Sequence, residues 1–529
     1  MKNLALLFLI LSNTVFAQEQ VDILIKNGRI IDGTGNSWFY GDVAVTKGKI
    51  TAVGKLSQVA ANKIIDATGL IIAPGFIDVH THIEGDEMNN PTADNFIYDG
   101  VTTVITGNCG ASRVKIGEYF SMLDSLRTSI NVATLIGHND VRRAVMGNSN
   151  RDPNEPELQK METLVEEAMQ QGAVGLSTGL IYIPGTYSKT GEILRLAKVA
   201  AKYDGIYASH MRNESDSVVQ AINEALYIGR NANLPVEISH FKVSGQQNWG
   251  RSKETIALIE NARLDGIDVT IDQYPYTASS TSLSTMIPDE ILADGMDSVR
   301  ARLQTPAIRK YVIGELLKSS KKRRVKHFNY AVVAYHRADT TLNGKSIEEI
   351  NLLKGRKHKA KYEAETIIDL MINGGAGMVF HGMSEEDVKR IMKYPYNMIA
   401  SDASIRIFGQ GVPHPRGYGT NARILARYVR EEKVLSLEEA IRRMTSLPAQ
   451  KFRLYDRGIL KSGMAADIVI FNEKDVQDLS TFEKPHQYAR GFRFVLVNGE
   501  LVLENGKHNG TRSGKPVYGQ FVTSNLKKN

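Results

Sequence analysis

The sequence predicts an α/β protein on a TIM-type (β/α)8 barrel, with a β domain assembled from both chain ends and a small subdomain inserted late in the barrel. Three observations predict it. Strand-like alternation opens and closes the chain, short Val-, Ile- and Thr-rich runs recur through the middle ahead of helical patterns, and that recurrence breaks between about residues 284 and 361. At 529 residues, the chain has room for a barrel of about 250 residues and further units. Its 42% hydrophobic and 23% charged residues exclude a disordered or fibrous chain.

In order along the chain, residues 1–17 read as a signal peptide. MKNLALLFLILSNTVFAQEQ combines Lys2, an apolar run over residues 4–11, and Val15 and Ala17 at the spacing a signal peptidase reads, so the mature protein begins near Gln18. The run is too short to span a bilayer, and no later segment approaches eighteen uninterrupted apolar residues. The expectation is export to a periplasm or the exterior with no membrane anchor. No cysteine at the cleavage point supplies a lipid attachment.

Residues 18–74 form the first part of the β domain, in VDILIKNGRIIDGTGN, YGDVAVTKGKITAVG and KIIDATGLIIAPG. Residues 453–529 supply the second part and a tail, with AADIVIFN, FVLVNGELVLENGK and, as a further candidate strand, PVYGQFV. Between them, eight runs suit eight barrel strands: GFIDVHTH, TTVITGNCG, VATLIGH, AVGLSTGL, GIYASHM, VEISHFK, DVTIDQYPY and NMIASD. The barrel therefore spans residues 75–284 and 362–452. A ninth run, MVFHGM, overshoots the count and is assigned to a strand outside the barrel. Residues 285–361 are the insertion; insertions after barrel strands lie on the catalytic side, where this one would act as a lid or wall.

A net charge of +7 over this length is a thin field, which argues against a nucleic-acid partner. The densest basic run, residues 318–326, reads as a solvated helix end or loop. Cys109 is the only cysteine, so no intramolecular disulfide exists.

His80 and His82 end the first barrel strand, where an i, i+2 pair shares one face. Cys109, His210, His240 and Asp402 fall at the ends of the second, fifth, sixth and eighth runs. Any one of them alone would more simply be a satisfied core or rim residue. Six potential ligands converging on one rim point instead to a metal centre, because catalytic groups in such barrels come from the ends of several strands. Four imidazoles, a thiolate and a carboxylate suffice for two ions with Cys109 between them, and this donor set favours zinc. Such a site also explains an unpaired thiol in an exported chain. A bound metal polarises a carbonyl and acidifies water, which is amide-hydrolase chemistry, and Asp402 is placed as proton carrier.

The motifs GFIDVHTH, GVTTVITGNCG, YASHMRNES, EISHFK, DQYPYTASSTS, FHGMSEEDV, ASD with HPRGYGT, and TSLPAQKFRLYDRGILKSGMAADIVIFN resemble the D-aminoacylase (N-acyl-D-amino-acid deacylase) branch of the metal-dependent amidohydrolases, in order over about residues 21–506. The resemblance implies a barrel with a composite β-sandwich and a small inserted domain. It implies that Cys109 replaces the bridging carboxylated lysine of many relatives, a residue absent from AVGLSTGL. It further implies a tight zinc on Cys109, His210 and His240, and a second, weaker or partly occupied one on His80, His82 and Asp402. Lys242, Tyr274, Ser280 and Arg416 are implied as the site for the carboxylate of a small N-acyl amino acid. Two cations and two hydroxyls suit that group, although each also has a purely structural reading. His381 is either a pocket residue or a structural hydrogen-bond partner. Glu84 departs from the aspartate many relatives carry two residues after the histidine pair, so the pocket beside the ligands is expected to differ.

The expected activity is zinc-dependent hydrolysis of N-acyl-D-amino acids. A cyclic amidase of the hydantoinase or dihydroorotase kind and a dipeptidase acting on D-residues are the alternatives. A non-catalytic exported binding protein would lack ligands, whereas every ligand position here is filled.

Overall fold

Alternating apolar residues set the faces of the terminal sheet. In a computed structural model, which describes residues 20–526, Ile23 and Ile25, Val43 and Val45, and Ile468 and Ile470 share one core, while Leu24 and Ala44 face a smaller one on the other side. Five strands from the first part, Val21–Ile30, Phe39–Thr46, Lys49–Gly54, Ala61–Asp66 and Ile71–Pro74, join four from the second. The nine form one hydrogen-bonded sheet, closed where Ile71–Pro74 runs antiparallel to Ile468–Phe471. The predicted leader lies outside the described residues.

The middle of the chain supplies parallel strands at Phe76–Asp78, Val101–Thr106, Asn131–Thr134 continued by Ile136–Gly137, Gly175–Gly179, Ile206–His210, Val236–Ile238, Val269–Gln273 and Asn397–Ile399. These are the eight predicted runs, each paired to the next in chain order. A parallel bridge between Thr81 and Ala403 brings the last beside the first. Residues alternate between two cores: Ile105, Ala133, Ala208 and Met398 meet within the ring, and Val104, Val132, Tyr207 and Ile399 meet the outer helices. Burial on both faces is why these runs read as continuously apolar.

The ninth run, MVFHGM, supplies the strand Gly377–His381, which lies between Ala278–Ser282 and Ala331–Tyr335 in a separate antiparallel sheet. The inserted unit thus reaches from Ala278 to His381, beyond both predicted limits of 285 and 361. Its first strand, ASSTS, is polar and only half buried, so it left no apolar alternation to read. Four helices, Met296–Gln304, Pro306–Lys322, Ile347–Leu353 and Ala360–Ile372, pack on this sheet around their own core. PVYGQFV does not extend the terminal sheet: Pro516 bridges Val132 at the foot of the ring, and the helix Gln520–Leu526 follows. Among the described residues, no helix is long and apolar enough to cross a membrane.

Candidate metal centre

All six predicted ligands meet at the carboxyl ends of the parallel strands. Cys109 Sγ lies 3.3 Å from His80 Nε2, 3.4 Å from His210 Nδ1 and 3.6 Å from His240 Nε2. His210 Nδ1 and His240 Nε2 are 2.8 Å apart. On the other side of His80, Asp402 Oδ1 is 3.8 Å from His80 Nε2 and 3.3 Å from His82 Nε2. His80 is fully buried, whereas His82 is 34% exposed and faces the solvent side.

The backbone is bent to achieve this. Cys109, His240 and Asp402 have φ of 53°, 37° and 51°, in the left-handed region that side chains other than glycine seldom adopt. Such conformations cost about 1–3 kcal/mol each and collect at functional sites. The Cys109 loop is also pressed against the fourth strand. A Cβ on Gly179 would overlap the Cys109 carbonyl oxygen, and Gly110 holds φ +76° where a side chain would strike Asn139. No side chain could therefore project from Gly179, and Cys109 fills the adjoining space.

The donor chemistry fits a thiophilic divalent cation. Although burial opposes it, the imidazoles of His80 and His210 hold the Cys109 thiol well below its ordinary value, which favours the thiolate form a soft cation binds. The Cys109 sulfur and two imidazole nitrogens sit 2.8–3.6 Å apart. Cys, His and carboxylate are zinc's usual ligands, at about 2.0–2.3 Å.

Two carboxylates that sequence reasoning missed orient the imidazoles. Asp272 Oδ2 lies 3.3 Å from His80 Nδ1, and Oδ1 accepts the backbone N–H of His240 at 2.8 Å. Glu214 Oε1 lies 2.9 Å from His240 Nδ1, and its Oε2 is 3.8 Å from His210 Nε2, a buried nitrogen with no hydrogen-bond partner among the described residues. Carboxylates behind ligating histidines fix their tautomer and orientation. Both stand in quoted motifs, DQYPY and SHMRNES, which were the available signal.

A cavity of about 340 Å³ opens beside this cluster, lined by His82, Cys109, Tyr182, Ser280, Asp402 and Arg416, and by Arg143 and Arg406, which the sequence did not single out. That volume suits a small molecule. Arg416 Nη1 pairs with Asp402 Oδ2 at 2.8 Å, and Nη2 donates to the Ser280 carbonyl at 3.3 Å. Lys242 and Tyr274 do not line this cavity; they lie behind His240. Lys242 is not free, since its Nζ donates to Glu214 at 2.6 Å and to the His240 carbonyl at 3.0 Å. The Tyr274 ring lies 4.6 Å from the Arg416 guanidinium and 5.7 Å from Lys242 Nζ, and its buried hydroxyl has no partner among the described residues. Burial pushes this phenol up to about 12, so it remains an O–H donor. His381 faces a neighbouring cavity, shared with Glu214 and Tyr330. Glu84 turns away from the pocket: its Oε1 accepts the Gly107 N–H at 2.5 Å, bracing the Cys109 loop.

The profile of the Amidohydrolase family matches residues 63–503. The chain belongs to the amidohydrolase family. It is 34% identical to a D-aminoacylase of Alcaligenes xylosoxydans xylosoxydans over 93% of this chain and 97% of that one. It is 35% identical to an N-acyl-D-glutamate deacylase of the same organism, over 92% and 94%. A solved N-acyl-D-glutamate deacylase from Bordetella bronchiseptica, complexed with zinc and a phosphonate inhibitor, superposes with a TM-score of 0.81 at 34% identity, covering 94% of this chain and all of that one. The amidohydrolase described here thus falls in the D-aminoacylase branch, among hydrolases of linear amide bonds. A D-hydantoinase, at 16% identity and a TM-score of 0.56, shares the fold alone.

Proposed function

We propose that this amidohydrolase is a zinc-dependent N-acyl-D-amino-acid deacylase. The observation that carries the reading is the meeting of Cys109, His80, His82, His210, His240 and Asp402 beside a cavity lined by Arg416 and Ser280. Within it, the ring of strands is a closed (β/α)8 barrel and the terminal sheet its composite β-sandwich. Cys109, His210 and His240 would hold a tight zinc; His80, His82 and Asp402 would hold a second, weaker or partly occupied one. When bound, zinc supplies Lewis-acid polarisation of the acyl carbonyl and acidifies water.

The chain's own groups do the rest. Against the opposing effect of burial, Arg416 and His82 hold the Asp402 carboxyl well below its ordinary value, keeping it ionised. Asp402 takes the proton of the attacking water and returns it to the leaving nitrogen, a role typically worth about 10²–10⁴ in rate. The Arg416 guanidinium and the Ser280 hydroxyl meet the substrate carboxylate from the cavity. Tyr274 and Lys242 stand behind His240, where Lys242 acts on the site through Glu214 rather than on the substrate. Ser280 and Thr281 of the inserted unit form part of the cavity wall.

The test is product identification by mass after zinc-loaded protein meets a panel of N-acyl-D-amino acids, their L-enantiomers, a D-residue dipeptide and a cyclic imide. Release of carboxylic acid and free D-amino acid supports the reading; ring opening or dipeptide cleavage with the acyl substrates untouched replaces it.

A further inference from the structure

A second group of potential ligands lies in the inserted unit, far along the chain from the first. His327 follows the helix Pro306–Lys322, Glu348 sits in the first turn of Ile347–Leu353, His358 in the loop after it, and Glu363 in the first turn of Ala360–Ile372. Their four ligand atoms all lie within 4.8 Å of one another. His327 Nδ1 is 2.6 Å from Glu363 Oε1 and 3.7 Å from Glu348 Oε1, and His358 Nε2 is 2.5 Å from Glu348 Oε1. The two imidazoles stack with centroids 4.1 Å apart.

The charge arrangement is unexpected for this region. Lys321, Lys322, Arg323, Arg324 and Lys326 precede the cluster, and Lys354, Arg356, Lys357, Lys359 and Lys361 surround His358. Among the described residues, no lysine or arginine pairs with Glu348 or Glu363; Lys354 and Arg356 turn to Asp369, and Lys322 to Asp216. Glu363 is fully buried, and its second oxygen accepts the Phe328 N–H at 2.7 Å. A buried carboxylate normally requires a compensating charge. Two carboxylates and two neutral imidazoles balance one divalent cation, and this N/O set suits tetrahedral zinc. Bonds of about 2.0–2.2 Å would place neighbouring donors about 3.3–3.6 Å apart, within a small side-chain adjustment of the distances found.

We propose that His327, Glu348, His358 and Glu363 form a structural zinc-type site, separate from the barrel centre. It ties the segment before Ala331 to both following helices. That segment carries Arg323 and Tyr330, which line the cavity facing His381, so the ion stiffens a wall of the substrate approach.

The test uses full-length protein stripped by a chelator and titrated with zinc alone, followed by peptide-resolved hydrogen exchange and metal content. The expected result is zinc-dependent protection of residues 323–330 and 347–363 in wild type and in Cys109→Ala. It is lost, with one ion fewer per chain, in His358→Ala, whose half-exposed side chain can be removed without opening the core. Glu363→Gln, nearly isosteric, is the second variant and should lose the same protection. Equal zinc content in wild type and both variants, or no zinc-dependent protection of this segment, overturns the proposal and leaves two Glu–His hydrogen-bonded pairs.

Discussion

Arg416 Nη1 stands 2.8 Å from Asp402 Oδ2, so the cation that lines the cavity is also the cation that holds the Asp402 carboxyl below its ordinary range. Both side chains are almost fully buried, and removing one partner of such a pair costs about 2–5 kcal/mol. Arg416→Met is therefore expected to lower kcat/KM by at least about tenfold, with KM rising as the carboxylate site is lost. Arg416→Lys should restore little of it, because the ammonium cannot reproduce the planar fork. Steady-state kinetics on N-acetyl-D-methionine check both.

Glu214 ties together Lys242, His240 and His210. Burial opposes its ionisation, but the Lys242 ammonium and the two imidazoles hold its carboxyl below the usual range. Glu214→Gln is expected to weaken zinc affinity by about 10–100-fold while leaving the six ligands in place. Competition against a fluorescent chelator measures it, and unchanged affinity would remove Glu214 from its positioning role.

Lys242 and Arg416 are each already matched by a carboxylate, Glu214 and Asp402. With those two charges neutralised, net attraction for an anionic substrate comes from the metal and from Arg406, which lines the same cavity, while Arg416 supplies directional hydrogen bonds. Stripped protein should bind an N-alkyl D-amino acid, which keeps the carboxylate but lacks the scissile carbonyl, at least about tenfold more weakly than zinc-loaded protein. Calorimetry with and without zinc decides.

Glu192 joins the helix Thr190–Ala201 to His138 and Arg142, and His138 Nε2 lies 2.8 Å from its Oε1. Burial would raise its carboxyl, but His138 and Arg142 hold it below the ordinary 4.5. A depressed folded value means the pair's stability is present above about pH 4.5 and is lost as pH falls through the folded value. Glu192→Gln should destabilise by roughly 3 kcal/mol near neutrality. The difference in Tm from wild type should shrink below pH 4.5, and a constant difference would contradict the assignment.

The eight parallel strands and the meeting of six residues at their ends were legible because a buried parallel strand is a short apolar run, and a histidine, cysteine or aspartate at its end is conspicuous. Asp272 and Glu214 were not: each stood in a recognised motif, but its partners come from other strands, and periodicity carries no information on tertiary pairing. The same limit hid the commitment of Lys242 to a residue 28 positions away. Left-handed backbone at Cys109, His240 and Asp402 had no sequence signal, since none is a glycine. The inserted unit was under-measured because its first strand, ASSTS, is polar, and because its central strand, though read as lying outside the ring, carried no sign of which strands it pairs with.

The most direct test of the account is zinc content by elemental analysis, paired with turnover of N-acetyl-D- and L-methionine, for wild type and Cys109→Ala. The account predicts D-selective amine release by zinc-loaded wild type, with a fall in zinc per chain and at least about a hundredfold loss of rate in the variant. Zinc retained by the variant, with no preference for the D-enantiomer in wild type, would contradict it.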